Sequence, residues 1–221
     1  MYVQQKYIDL FNDETQARAF VQGVWDKGYM VLLDFLTPET KAELDAFLAD
    51  RTQCNKKNDE LQGTIAQKLA TADEMMKILN TIHRHRAAIE GIPFVPLKVE
   101  KQSWGFPYKN ATAGAKTVQT HFHYDAAYTN VLIPFVLPPS ETNEGHLLVY
   151  PSLRKRIKNK FLCSALSRIL RDVPFSRNLY PGIQVPYTVG GFHFFFGDIS
   201  FHGVLPIKHG ERLVMTINSH W

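Results

Sequence analysis

The stretch Pro186–Ser219, PYTVGGFHFFFGDISFHGVLPIKHGERLVMTINS, decides how this chain is read. It divides into three strand-like runs, Pro186–Phe196, Ile199–Ile207 and Arg212–Ser219. The dividers are Gly197-Asp198 and the polar turn Lys208–Glu211. Within the first run Phe192, Phe194 and Phe196 alternate, so they share one face of a strand and predict core packing there. Working back towards the N-terminus, His146–Tyr150, Asn130–Leu137, Val118–Asp125 and Val95–Trp104 read the same way. Gly, Pro and Asn turns separate them. Many short strands with frequent turn residues predict a barrel or a two-sheet jelly roll.

The first ninety residues have a different period. Behind Asp13, a plausible N-cap, Ala17, Phe20, Val21 and Val24 recur at helical spacing until Gly28. Tyr29–Phe35 reads as a short buried strand. Thr37-Pro38-Glu39 then opens a second helix with a cap and a proline at its first position. Gln53–Glu60 reads as a polar loop. A third helix is predicted over about 71–90, ended by Gly91 and Pro93. The expectation is one α+β domain over 1–221. Residues 1–94 are mainly helical and packed outside a β core formed by 95–221. A basic helix at about 153–171 is inserted into that core.

Composition narrows the classes. At 221 residues, 45% apolar and 21% charged, the chain can bury a core and is not a disordered polymer. Two cysteines, Cys54 and Cys163, cannot make a disulfide framework or a cysteine zinc site. Free thiols and a start with no signal-like pattern lead us to expect a cytoplasmic protein. No run of 18 apolar residues exists to form a membrane span. The net charge is +4, yet residues 154–177 hold eight Lys/Arg against one acid. That segment carries +7 and the rest of the chain −3. It reads as a solvated helical face or, more sharply, as a lure for an anionic substrate. No recognition motif accompanies it, which argues against nucleic acid.

Metal-capable side chains are densest at His121-Phe-His123-Tyr-Asp125. Alternate residues of a strand share a face, so His123 and Asp125 would project together. With His202 from a later strand they would make two imidazoles and one carboxylate. That is the facial triad of non-haem Fe(II), which leaves coordination positions open. Arg212 follows His202 by ten residues and opens an apolar strand. A guanidinium there wants an anionic partner, and its planar fork suits a carboxylate. The alternative is that His123 and Asp125 are simply a hydrogen-bonded strand pair.

The ordered set His123-Tyr-Asp125, His202, Arg212 resembles the Fe(II)/2-oxoglutarate-dependent oxygenase superfamily. Supporting it are Glu144-Gly145 before an apolar run ending in Pro151, and Gly197-Asp198 before the distal histidine. Residues 28–40, GYMVLLDFLTPET, are similar to the N-terminal entry of phytanoyl-CoA dioxygenase-like members. The resemblance covers roughly 17–50 and 95–221. It implies a double-stranded β-helix core, with Fe(II) held by His123, Asp125 and His202. Arg212 would bind the distal carboxylate of 2-oxoglutarate, and Lys101 and Gln102 would approach the same cosubstrate. With O2 the outcome is succinate, CO2 and an oxidised substrate C–H bond. Halogenating relatives have a small residue at the position of Asp125, so a carboxylate there implies hydroxylation or a related oxidation. The chain departs from many relatives in having Val214 and Val204 where a Ser or Thr assists the distal carboxylate.

His121-Phe-His123 also resembles a cupin, but the next acid after Asp125 is Glu141, too distant for that pattern. His121 is therefore expected to face substrate or to support the triad. Trp104, Tyr108, Tyr124 and Tyr128 are candidates for the substrate pocket, although core packing is the plainer reading of aromatic residues. His146, His193, His209 and His220 offer no partner logic in the sequence. The expected substrate is a small molecule. The rivals are a prolyl-type peptide or protein hydroxylase, a non-catalytic jelly-roll binding module and a nucleic-acid oxygenase.

Overall fold

The computed structural model describes residues 1–54, 56, 58–106, 123–139, 144–151, 162, 165 and 182–220. Among the described residues the N-terminal part carries five α-helices: α1 (Gln5–Asn12), α2 (Glu14–Lys27), α3 (Pro38–Ala49), α4 (Ile65–Thr71) and α5 (Asp73–Glu90). Their ends follow from local chemistry. Asp13 accepts from the backbone N–H of Thr15 and Gln16, and Thr37 from that of Thr40. Gly28 and Gly91 close α2 and α5 in the left-handed conformation. Gly28 is also a close approach: a Cβ there would lie 2.2 Å from Cβ of Pro151. The sequence reading missed α1, which has no side-chain N-cap, and α4, which has only seven residues.

Eight strands follow the order β1 (Met30–Leu32), β2 (Gln102–Gly105), β3 (Thr129–Val136), β4 (Leu147–Tyr150), β5 (Ile183–Val185), β6 (Phe192–Phe195), β7 (Phe201–Val204) and β8 (Leu213–Ser219). They form a five-stranded sheet, β1-β6-β3-β8-β2, and a three-stranded sheet, β5-β4-β7. All pairings are antiparallel. This is the expected α+β class, with helices outside a jelly-roll core.

Several predicted strands are shorter. Only Met30–Leu32 of 29–35 pairs, because the chain turns at Asp34, which has positive φ. Of the expected strand Val95–Trp104 only Gln102–Trp104 pairs, and β2 runs one residue further to Gly105. Pro93 and Pro96 remove donors from the preceding segment. The run Pro186–Phe196 is broken rather than continuous. Gly190 takes positive φ, and the chain passes there from β5 in one sheet to β6 in the other. Of Val118–Asp125, residues 118–122 lie outside the described residues. Of the basic helix, only Leu162 and Ala165 are described, both helical.

The alternation of each central strand sorts its side chains between two layers. Phe192 and Phe194 of β6, Val131, Ile133 and Phe135 of β3, and Leu213, Met215 and Ile217 of β8 face the helices. They pack there with Phe20, Val24, Leu44, Ile78 and Ile82. Each such buried side chain contributes roughly 1.5–3 kcal/mol. On the opposite face Phe195, Leu132 and Val214 meet Leu147, Val149, Val185 and Tyr187 of the smaller sheet's side. The interior between the sheets is therefore walled by apolar groups, and the chemistry-bearing residues open into it.

Candidate metal centre

His123 lies before β3 and pairs with His202 of β7 as an isolated antiparallel bridge. The backbone N–H of each donates to the carbonyl of the other, at 2.8 and 3.0 Å. Asp125, two residues on, is tied down differently: its N–H donates to the carbonyl of Gly197 at 2.9 Å. These bonds bring the three side chains together. Nε2 of His123 is 3.2 Å from Oδ1 of Asp125, and Nε2 of His202 is 3.3 Å from Oδ2. One ligand atom from each residue lies within 4.8 Å of the others. His202 is buried, while His123 is about half exposed, so the cluster has a protected side and an open side.

The surroundings orient each ligand. Nδ1 of His202 lies 3.0 Å from the carbonyl of Ser200, which fixes that nitrogen as the donor and leaves Nε2 as the ligand atom. The ring of Phe195 packs edge-on against His202 at 4.6 Å. Asn130 donates through Nδ2 to Oδ2 of Asp125 and, at 3.0 Å, to Oδ1 of Asn218. Its own Oδ1 accepts from the N–H of Gly197. Burial works to raise the carboxyl pKa of Asp125. The facing imidazoles of His202 and His123, with their hydrogen bonds, outweigh it and hold the group well below its ordinary value. An ionised carboxylate between two imidazoles is a donor set for a divalent cation with open positions.

Arg212 shares the face of β8 that carries Val214, Thr216 and Asn218, the face turned to this interior. Its Nη1 donates to the carbonyl of Gly145 at 3.3 Å, and its guanidinium lies 6.0 Å from the ring of Tyr187. Its Nε is buried with no hydrogen-bond partner among the described residues. Burial lowers the pKa of Arg212, opposed by Tyr187, and burial pushes the Tyr187 hydroxyl up to about 12. A buried guanidinium N–H without a partner next to a protonated phenol fits the carboxylate end of a dicarboxylate.

Other expected site residues lie elsewhere. β2 pairs Gln102 with Ser219 and Trp104 with Ile217, so both side chains turn towards the helices. Asn218, bonded to Asn130 beside Asp125, is on the opposite face. Gln102 and Trp104 are thus removed from the ligand cluster by strand parity. Lys101 is exposed in the turn before β2. Tyr124 packs on Phe201 at 5.2 Å, in a cluster with Tyr150. Tyr128 is fully buried and stacks on Arg86 of α5. Tyr108 and His121 lie outside the described residues. The sequence does not mark Asn130, Asn218 or Tyr187, nor the partners of His146, His193, His209 and His220; Nδ1 of His209 lies 3.0 Å from Oε1 of Glu144, and Nε2 of His220 lies 3.4 Å from Oγ of Ser103. His146 accepts from the N–H of Tyr187, and Nε2 of His193 lies 3.2 Å from both the N–H and the hydroxyl of Thr188. Nothing in the linear spacing of these residues marks them. Asn130 meets Asn218 across the β3–β8 pairing, and His146 meets Tyr187 beside the β4–β5 pairing.

No family model matches the chain, and no curated protein matches it in sequence. Solved structures do match its fold. A prolyl 4-hydroxylase from Phytophthora capsici superposes with a TM-score of 0.63 at 16% identity, over 99% of this chain and 67% of that one. The epimerase SnoN of nogalamycin biosynthesis, solved with Fe3+, alpha ketoglutarate and nogalamycin RO, gives 0.60 at 15% identity, over 94% and 85%. A Pseudomonas putida prolyl-4-hydroxylase gives 0.53 at 16%, over 92% and 91%. The chain therefore has the double-stranded β-helix fold of the Fe(II)/2-oxoglutarate oxygenases, and it carries a two-histidine, one-carboxylate cluster within that fold.

Proposed function

We propose that this chain is an Fe(II)- and 2-oxoglutarate-dependent oxygenase of the hydroxylase type, acting on a small molecule. The observation that carries the reading is the convergence of Nε2 of His123, the carboxylate of Asp125 and Nε2 of His202 at one point of the interior. These three residues would hold Fe(II). Bound iron and 2-oxoglutarate supply, with O2, an oxidative decarboxylation that yields succinate and CO2 and oxidises a substrate C–H bond. The chain's own residues do the rest. Ser200 and Asn130 aim the ligands. Arg212, with the Tyr187 phenol beside it, grips the distal carboxylate, supplying the hydroxyl that Val214 and Val204 lack. Phe195, Leu132 and Val214 keep water from the inner wall.

The test is anaerobic addition of Fe(II) and 2-oxoglutarate to the full chain. A weak visible charge-transfer band that vanishes in His123→Ala is expected. Absence of both band and metal binding in the wild type overturns the reading in favour of a non-catalytic jelly-roll module. Two prolyl 4-hydroxylases among the similar structures favour a second reading, a prolyl-type peptide substrate. Succinate release stimulated by proline-containing peptides, and not by a metabolite pool, would select it.

A further inference from the structure

Arg86 of α5 is the largest fully buried side chain among the described residues, at 0% exposure. A charge is buried so deeply only when its surroundings satisfy it, and here they do so through two distant segments. Nη1 and Nη2 meet the two oxygens of Asp198 at 2.9 and 3.0 Å. Nε and Nη2 meet Oε1 of Glu90, one turn along the helix, at 2.9 and 2.8 Å. Nη1 also donates to the carbonyl of Tyr128. The guanidinium carbon lies over two rings, 3.7 Å from the centre of Tyr128 and 4.3 Å from that of Phe196.

Both grasped segments lead directly to ligands. Asp198 sits in the turn Phe196–Ser200, whose Gly197 carbonyl receives the N–H of Asp125 and whose Ser200 carbonyl receives Nδ1 of His202. Tyr128 lies between Asp125 and Asn130, the residue that bonds the Asp125 carboxylate. We propose that Arg86 is the positioning residue of the metal centre, a clamp from the helical layer that fixes the Asp125 segment and the turn before His202 relative to each other. It touches no ligand atom. This rests on the reading of the cluster as a metal site, and one of its two readouts is independent of metal.

The metal-independent readout is hydrogen exchange on the apo chain. The amides of His123, Asp125 and His202 are all hydrogen-bonded across the two segments, so their protection reports the clamp. In Arg86→Lys, a point charge that cannot span Asp198, Glu90 and the Tyr128 carbonyl, these three amides are expected to exchange roughly 10–100-fold faster, while those of β3 and β8 stay protected. Co(II) titration well below each variant's melting temperature is expected to give a Kd raised by a similar factor and an altered visible spectrum. Asp198→Asn should reproduce both changes, and the double variant should be no worse than the weaker single one. Leu44→Ala, a core change elsewhere, should lower the melting temperature and leave both readouts alone. Unchanged protection of the three amides in a folded Arg86→Lys or Asp198→Asn chain overturns the proposal. A wild-type chain that binds no Co(II) removes the metal reading instead, and the exchange comparison still decides whether Arg86 holds the two segments together.

Discussion

His123 and His202 face each other across a two-way backbone bridge, each N–H bonded to the other's carbonyl, with ring centroids 4.5 Å apart. Two residues separated by 79 positions are thus adjacent before any ion arrives. A ligand pair set by main-chain hydrogen bonds does not depend on the metal for its spacing, so removing the metal should leave the bridge intact.

Single ligand changes should therefore act on metal affinity much more than on folding. His202→Ala and Asp125→Ala should weaken Co(II) binding by more than the roughly 10–100-fold typical of outer partners. Titration calorimetry alongside thermal melts of the apo chains checks this. A melting-temperature loss without an affinity loss would show that the cluster is structural.

Arg212→Met should leave Co(II) affinity unchanged and weaken 2-oxoglutarate binding. The loss of a charge-assisted contact worth about 1.5–3 kcal/mol corresponds to roughly 10–150-fold in Kd. Tyr187→Phe should give a smaller change of the same sign, since its hydroxyl stays protonated at neutral pH. The anaerobic charge-transfer band, titrated with cosubstrate, measures both.

Gly197→Ala tests how closely the turn is fitted. A Cβ there would lie 2.3 Å from Oδ1 of Asn130 and 2.9 Å from Oδ2 of Asp125. Both must move, so metal affinity is expected to fall on the order of 10–100-fold. Gly28→Ala, strained by positive φ and blocked by Pro151, should cost stability on the order of 1–3 kcal/mol without touching metal affinity.

His193 gives a pH signature. Burial pulls its pKa down to about 4 from an ordinary 6.5, opposed by a backbone hydrogen bond with Thr188. Between those values the unfolded chain carries the proton and the folded chain does not, so stability rises with pH across that window. The contribution is complete above about pH 6.5 and is lost progressively as the pH falls towards 4. Denaturant melts of His193→Gln should have a shallower slope there than the wild type. Equal slopes would assign the acid sensitivity to other groups.

Much of this site could be read from the chain because its parts are local patterns. His-x-Asp, a distal histidine and a late arginine are fixed in order, and the structure brings the first three together and turns the fourth into the same interior. The alternation of Phe192, Phe194 and Phe196 likewise named a packed face, and Asp13, Thr37, Gly28 and Gly91 marked helix ends correctly. What the linear order does not carry is the parity of β2 and the contacts made by Arg86, Asn130 and Asn218. Gln102 looked close to the cosubstrate because it is near the site in sequence, but its pairing with Ser219 turns it under the helices. Tyr128, a candidate for the pocket in the sequence, carries the guanidinium of Arg86 on its ring. Arg86 carries no signal in the sequence, since an arginine on an amphipathic helix is ordinarily solvated, and its partners Asp198 and Tyr128 lie on distant segments.

The smallest strand of the larger sheet has a consequence of its own. Among the described residues Met30, Val31 and Leu32 form the outer border of that sheet, and their one neighbour in it is the phenylalanine-rich β6. Trimming the chain to begin after Leu36 would strip that border and bare unpaired backbone groups beside Phe192 and Phe194. Such a fragment would stick to other copies of itself, edge to edge, rather than survive as a minimal folded unit.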